Sequence, residues 1–145
     1  LAKYTGESAM PGILVALDGS TGSERALEAA IRLAQLDGGS VSAITVVERK
    51  DDQRHETPDE AATDQLRHQS DELLQTAANF ARSRGVLLSP ILREGDPANT
   101  IIACVKDEDV ALVVLGANSK ARPGDLGDTA DQIARHSSCT VMIVR

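Results

Sequence analysis

Residues 110–128 read VALVVLGANSKARPGDLGD, and the architecture turns on them. An apolar run from Val110 to Leu115 stops at Gly116, a small polar loop bearing Gly and Pro follows, and a helical pattern begins at Asp128. A buried strand that opens through such a loop into a helix is a common way to build an anion or nucleotide site. The loop amides and the helix N-terminus aim their N–H groups at one point.

The same strand-then-helix unit recurs on both sides of this stretch. Ile13–Asp18 (ILVALD) is a short apolar, β-branched run closed by Gly19-Ser20, as expected of a strand buried on both faces. Ser20 or Thr21 can cap the next helix, with Glu24 as capping-box partner to Thr21. Ala26, Leu27, Ala30, Ile31, Leu33 and Ala34 then recur at helical spacing until Asp37-Gly38-Gly39. Val41–Val47 is a second strand. Residues 48–59 are charged and aperiodic, an expected exposed loop. A long amphipathic helix runs from about Asp59 to Arg84, its buried face marked by Leu66, Leu73, Leu74, Ala77, Phe80 and Ala81. Val86–Leu92 is a third strand, placed at an edge or bulge by Pro90, which has no N–H to donate. Gly95-Asp96-Pro97 turns into a helix, with Asp96 as cap and Pro97 at its first position. Ala111–Leu115 is the fourth strand, Asp128–His136 the last helix and Thr140–Val144 the fifth strand. Alternation of apolar strands with helices predicts an α/β fold: a five-stranded parallel sheet with helices on both faces. Ligands of such sheets bind beyond the carboxyl ends of the strands where strand order reverses. That points to Ala16–Asp18 and Gly116.

Composition excludes several classes. The net charge of −7 and the acidic pI of about 4.9 disfavour nucleic acid and anionic membrane, both of which need a basic face. Tyr4 and Phe80 are the only aromatic residues, so there is no base-stacking platform and the core must be aliphatic. No apolar run is long enough to span a membrane, and no signal peptide is visible, which makes the cytoplasm the expected compartment. Residues 1–12 have no periodicity and end in the turn signal Pro11-Gly12, as expected of a leader or linker, and a start at Leu1 rather than Met is compatible with a longer protein, even a membrane protein. Cys104 and Cys139 are expected as buried reduced thiols, without a nearby base to activate them. His55, His68 and His136 show no metal spacing, and Asp51-Asp52 and Asp107-Glu108-Asp109 look like solvated turns. There is no GxGxxG and no GxxxxGK[ST], which disfavours a Rossmann dinucleotide site and a Walker-type ATPase. Asp18 is equally readable as a ligand acceptor at the sheet edge and as a strand-ending turn residue.

Taken together, ILVALDGS at 13–20, the Gly95-Asp96-Pro97 turn, LVVLG at 112–116 and RHSSCTVMIV at 135–144 resemble the universal stress protein domain, over residues 13–145. The resemblance implies a homodimer joined through the last strand, here Val141, Met142, Ile143 and Val144. It also implies an adenine pocket lined by Ala16, Asp18 and Val46. Many members of that family bind ATP through a loop Gly-x2-Gly-x9-Gly-Ser/Thr. Here Gly116 matches the first Gly, Ser119 replaces the second, seven residues lead to Gly127, and Asp128 replaces the hydroxyl. Ser119 restricts backbone angles that Gly allows. A carboxylate at 128 repels a phosphate by several kcal/mol at ~4 Å unless water or a cation intervenes, although Asp128 has a plainer role as helix N-cap. Lys120 and Arg122 offset part of that charge if they face the site. The expected function is a non-catalytic, dimerising regulatory or stress-response module that acts through protein contacts and does not hold ATP tightly. The alternative is an ATP- or AMP-binding module using Asp18, Val46 and a rearranged 116–127 loop; ATP hydrolysis is the weakest expectation.

Overall fold

Short aliphatic runs become the strands of one parallel sheet: β1 (Ile13–Ala16), β2 (Ser40–Val47), β3 (Leu87–Glu94), β4 (Leu112–Gly116) and β5 (Thr140–Val144). The helices between them are α1 (Thr21–Leu36), α2 (Glu60–Ser83), α3 (Pro97–Asp107) and α4 (Asp128–His136). This computed structural model describes residues 12–36, 39–48, 60–117 and 127–145. The strand order is β3-β2-β1-β4-β5, so the winding reverses between β1 and β4. Pro90 sits on an edge strand as expected, paired with Ala43. Residues 37–38, the expected exposed loop from residue 49 on, and residues 1–11 of the expected leader or linker lie outside the described residues.

Alternation along each strand divides the core in two. Ile13, Val15, Val41, Ala43 and Val114 pack under α1 and α2, while Leu14, Ile44, Val113 and Leu115 pack under α3 and α4. The long helix departs from expectation in its first half. Its buried residues are Leu74, Ala77 and Ala81, all in the second half, whereas Leu66 is only half-buried. The first half runs beyond the sheet's core and is tied to the end of β3 by the ion pair of Arg67 with Glu94, with Asp64 also bound to Arg67 at 2.9 Å. Those acids hold the Arg67 guanidinium above its ordinary pKa.

Two helix starts depart from the expected caps. Ser20 rather than Thr21 caps α1: its Oγ accepts the Ser23 N–H at 3.1 Å. The reciprocal bond comes from Ser23, whose hydroxyl donates to the Ser20 carbonyl at 3.0 Å, so Glu24 is not the box partner. At α4 the N-cap is Gly127, with φ 91° and no side-chain cap, and Asp128 is the first helical residue. Gly supplies the left-handed backbone there at little cost, which displaces the carboxylate from the cap position. Asp96 does cap α3, accepting the Asn99 N–H at 3.0 Å ahead of Pro97.

The first turn of α1 lies directly on the end of β4. A Cβ on Gly116 would stand 2.2 Å from the backbone C and O of Gly22, and one on Gly22 would stand 2.5 Å from the Ala117 carbonyl. Neither obstacle is a flexible side-chain tip, so an added methyl must separate helix and strand. Gly116→Ala is expected to destabilise the fold by about 2–4 kcal/mol, as overpacking against backbone does. Gly12→Ala, which meets only the Asp109 carbonyl at 4.0 Å, is expected to be near neutral. Urea unfolding midpoints of the two variants test this.

Candidate functional site

Where the winding reverses, β1 and β4 send their chains to opposite faces and leave a crevice at their carboxyl ends. A cavity of ≈ 690 Å³ opens there, a size suited to a nucleoside or nucleotide. The structure brings Ala16, Asp18, Val46 and Gly116 to its wall, four positions from three strand ends. Gly127 and Asp128 are not among the described lining residues. Asp128 is exposed, and it is the next residue, Thr129, that lines the cavity together with Ala130. Ser119, Lys120 and Arg122 lie outside the described residues.

Each wall element has a local cause. Asp18 ends β1 in a turn, its Oδ1 accepting the Ser20 N–H at 2.9 Å, while Gly19 takes φ 84°. Its backbone N–H reaches Ser23 Oγ at 3.4 Å, so Ser23 anchors the turn from within the helix. Asp18 therefore fills the turn role, and the same residue lines the cavity. On β2, the Ile44 carbonyl accepts the Leu17 N–H at 2.9 Å. Two residues on, the Val46 carbonyl turns to the same side, past the point where β1 has left the sheet. Gly116 ends β4 under the first turn of α1, so its lack of a side chain serves packing as well as access.

The wall also holds residues that sequence reasoning did not single out. From α2 come Leu66, Gln69, Ser70, Glu72, Leu73 and Thr76, which makes the projecting half of that helix one side of the cavity. Its helical period was legible, but its placement over the strand ends was not, because nothing local distinguishes an overhanging turn from a solvated one. Glu48 and Thr45 join from β2 and the residue after it. Asp18, Glu48 and Glu72 thus give the described wall three carboxylates, and it has no lysine or arginine. The Thr45 hydroxyl is buried without a hydrogen-bond partner.

The remaining chemistry-bearing residues lie elsewhere. His68, exposed on α2, pairs with the wall residue Glu72 at 3.2 Å, His136 is exposed in the last turn of α4, and His55 lies outside the described residues. Cys104 is fully buried and free, and burial pushes its thiol above the ordinary range. Cys139, expected to be buried, is half-buried: it follows the end of α4 on an edge of the sheet, and its Sγ lies 3.3 Å from Ser137 Oγ. No described helix is long and apolar enough to cross a membrane. The difference between the two thiols predicts that a disulfide-exchange reagent at neutral pH will titrate Cys139 in the native protein and Cys104 only on unfolding. Cys139→Ser is expected to abolish the native reaction.

Comparison with known proteins agrees with this geometry. The profile of the Usp: Universal stress protein family matches residues 10–145. Universal stress protein YxiE of Bacillus subtilis is 30% identical, with 92% of this chain and 97% of that protein covered. Among solved structures, universal stress protein UspA from Lactobacillus plantarum superposes with a TM-score of 0.83 at 23% identity, covering 96% of this chain and 100% of that one. The universal stress protein from Archaeoglobus fulgidus in complex with dAMP superposes with a TM-score of 0.68 at 24% identity, covering 94% and 98%. At those identities the two structural likenesses speak to the fold alone. The profile match over nearly the whole length and the Bacillus relative place the chain in the universal stress protein family.

Proposed function

We propose that this chain is a non-catalytic, dimerising stress-response module whose cavity takes an adenine nucleoside or monophosphate and turns away triphosphates. The single observation behind this reading is the charge of the cavity wall: three carboxylates and no basic residue among the described lining. Size and position suit a nucleotide. The Val46 carbonyl is available to accept from an exocyclic amine, and the uncapped first turn of α4 offers amides to one anionic group. The Archaeoglobus fulgidus protein of the same fold is in complex with dAMP, a monophosphate. Each added phosphate brings more negative charge toward Asp18, Glu48 and Glu72, and repulsion at surface-like dielectric is worth on the order of 1 kcal/mol per close pair. The hydroxyl-bearing residues Ser70, Thr76 and Thr129 have no histidine beside them in the described lining to draw off a proton, which supports a binding rather than a hydrolytic role.

The second half of the reading concerns β5. It is an edge of the sheet, and the side chains of Val141, Ile143 and Val144 are half-buried while Met142 is 36% exposed. An apolar edge strand with free backbone groups on its outer side is a template for a second copy related by a two-fold axis. Dimerisation would cover that edge, and the assembled pair would act through contacts with a protein partner.

Calorimetry with adenosine, AMP, ADP and ATP, each with and without Mg²⁺, tests the cavity. Affinity is expected to fall from AMP to ATP, and Glu48→Gln with Glu72→Gln is expected to raise ATP affinity by roughly three- to tenfold with little effect on adenosine. Tighter binding of ATP than of AMP by the native chain would refute the reading, as would steady phosphate release. The dimer is tested by light scattering: a mass near twice 15.3 kDa is expected for the native chain, and a monomer for Met142→Lys.

A further inference from the structure

The two halves of α2 are held in different ways. Leu74, Ala77 and Ala81 bury the second half against the sheet, whereas no residue from Glu60 to Leu73 is buried. A helix in water owes most of its stability to such packing, so the first half stands on weaker support. Yet that half supplies Leu66, Gln69, Ser70, Glu72 and Leu73 to the cavity wall. A polar clasp joins it to the sheet. The Arg67 guanidinium donates through Nε and Nη2 to one carboxylate oxygen of Glu94, and through Nη1 to Asp64 at 2.9 Å. Glu94 is a firm anchor: it ends β3 in register with Val47, and the next residue, Gly95, donates its N–H to the Val47 carbonyl at 3.0 Å. Val47 itself lines the cavity, so the clasp joins the helix side of the cavity to its strand side. Arg67 is the one lysine or arginine between residues 60 and 73, among the acids Glu60, Asp64, Asp71 and Glu72. Asp64 and Glu94 meet on the same guanidinium; with it they are drawn together, and without it they repel.

We propose that the first half of α2 is a movable wall of the cavity, and that Arg67 is the positioning residue that holds it closed by clasping Glu94. When the clasp parts, residues 60–73 peel from the strand ends while the packed second half stays in place, and the cavity opens along that side. The two side chains are 43% and 25% exposed. Ion pairs so open to water are weak enough to part and re-form under native conditions, as a wall that admits and then retains a small molecule requires. The same motion serves whatever small ligand fills the cavity.

Hydrogen exchange of the backbone amides tests this, in the native chain and in Arg67→Gln, Glu94→Gln and the reversed pair Arg67→Glu with Glu94→Arg. Arg67→Gln is expected to speed exchange across residues 64–73 by roughly three- to tenfold and to leave residues 74–83 unchanged. Glu94→Gln, which alters no residue of the helix, is expected to speed the same segment by less, because Asp64 still holds the arginine. The reversed pair is expected to restore most of the protection. Raising salt to about 1 M is expected to speed exchange of 64–73 in the native chain and to do little in Arg67→Gln. Saturating AMP is expected to slow exchange of 64–73 in the native chain. Equal acceleration of 74–83 would mean that the helix loosens as one body, and unchanged exchange in both single variants would mean that the clasp does not hold it. Either result overturns the proposal, as does a reversed pair that restores nothing. AMP that binds without slowing 64–73 would overturn the movable wall and leave the nucleoside reading standing. Failure of AMP to bind would defeat that reading alone, with exchange in the unliganded variants still deciding the clasp.

Discussion

The contact between Gly22 and the end of β4 is the constraint on which the rest of this molecule depends. A parallel sheet that winds both ways from its centre needs β1 and β4 side by side while their chains leave toward opposite faces. The first turn of α1 must then cross the carboxyl end of β4, and it does so at a separation with no room for a Cβ on either glycine. That approach sets where the chain can leave β1. The turn at Asp18-Gly19-Ser20 is fastened on both sides, by the Asp18 carboxylate to Ser20 and by Ser23 back to Asp18 and Ser20. The crevice at the switch point is what remains between two chain segments so positioned. Its shape is a by-product of backbone packing, and its chemistry is left to the side chains around the rim.

Those side chains give the rim an unusual balance for an anion site. The amide ends of α4 are in place, and Gly127 opens them by taking a backbone conformation that leaves the helix without a side-chain cap. Yet the carboxylates of Asp18, Glu48 and Glu72 surround the same space. A helix N-terminus offers about half a positive charge, and three carboxylates outweigh it. In the function proposed above, a ligand with one anionic group sits near the amides and keeps its neutral part among the acids, whereas a longer polyanion would have to pass close to them. Asp128 is exposed and stands outside the described lining, in which Thr129 is found instead.

α2 shows how far pattern reading extends. Its length and period were plain in the sequence, and its second half packs as that period requires, through Leu74, Ala77 and Ala81. Leu66 obeys the same period but has no sheet beneath it, so it becomes a cavity wall. The helix is longer than the strands it covers, and the excess has to lie over their ends. Similarly, Glu24 stood at the right spacing for a capping box, but the helix starts one residue earlier than that pairing needs, and Ser23, forced inward beside Gly22, makes the reciprocal bond. Spacing identifies which residues are able to cap; the crowding of α1 against β4 selects among them.

The order of elements, the two-sided burial of the strands and the strand ends where a crevice would open were determined by the sequence alone. They rest on short-range facts: hydrophobic period, β-branching, Pro and Gly placement, and the handedness of strand–helix–strand crossovers. Three things were decided only by the tertiary structure: which acids share the cavity wall, that Thr129 rather than Asp128 lines it, and that the Thr45 hydroxyl is buried without a partner. Each depends on the meeting of segments far apart in the chain, with Glu72 and Thr45 brought together by an overhanging helix and Asp18 by a turn held against another strand. Local pattern carries no information about such meetings, because it is the packing of whole elements that sets them.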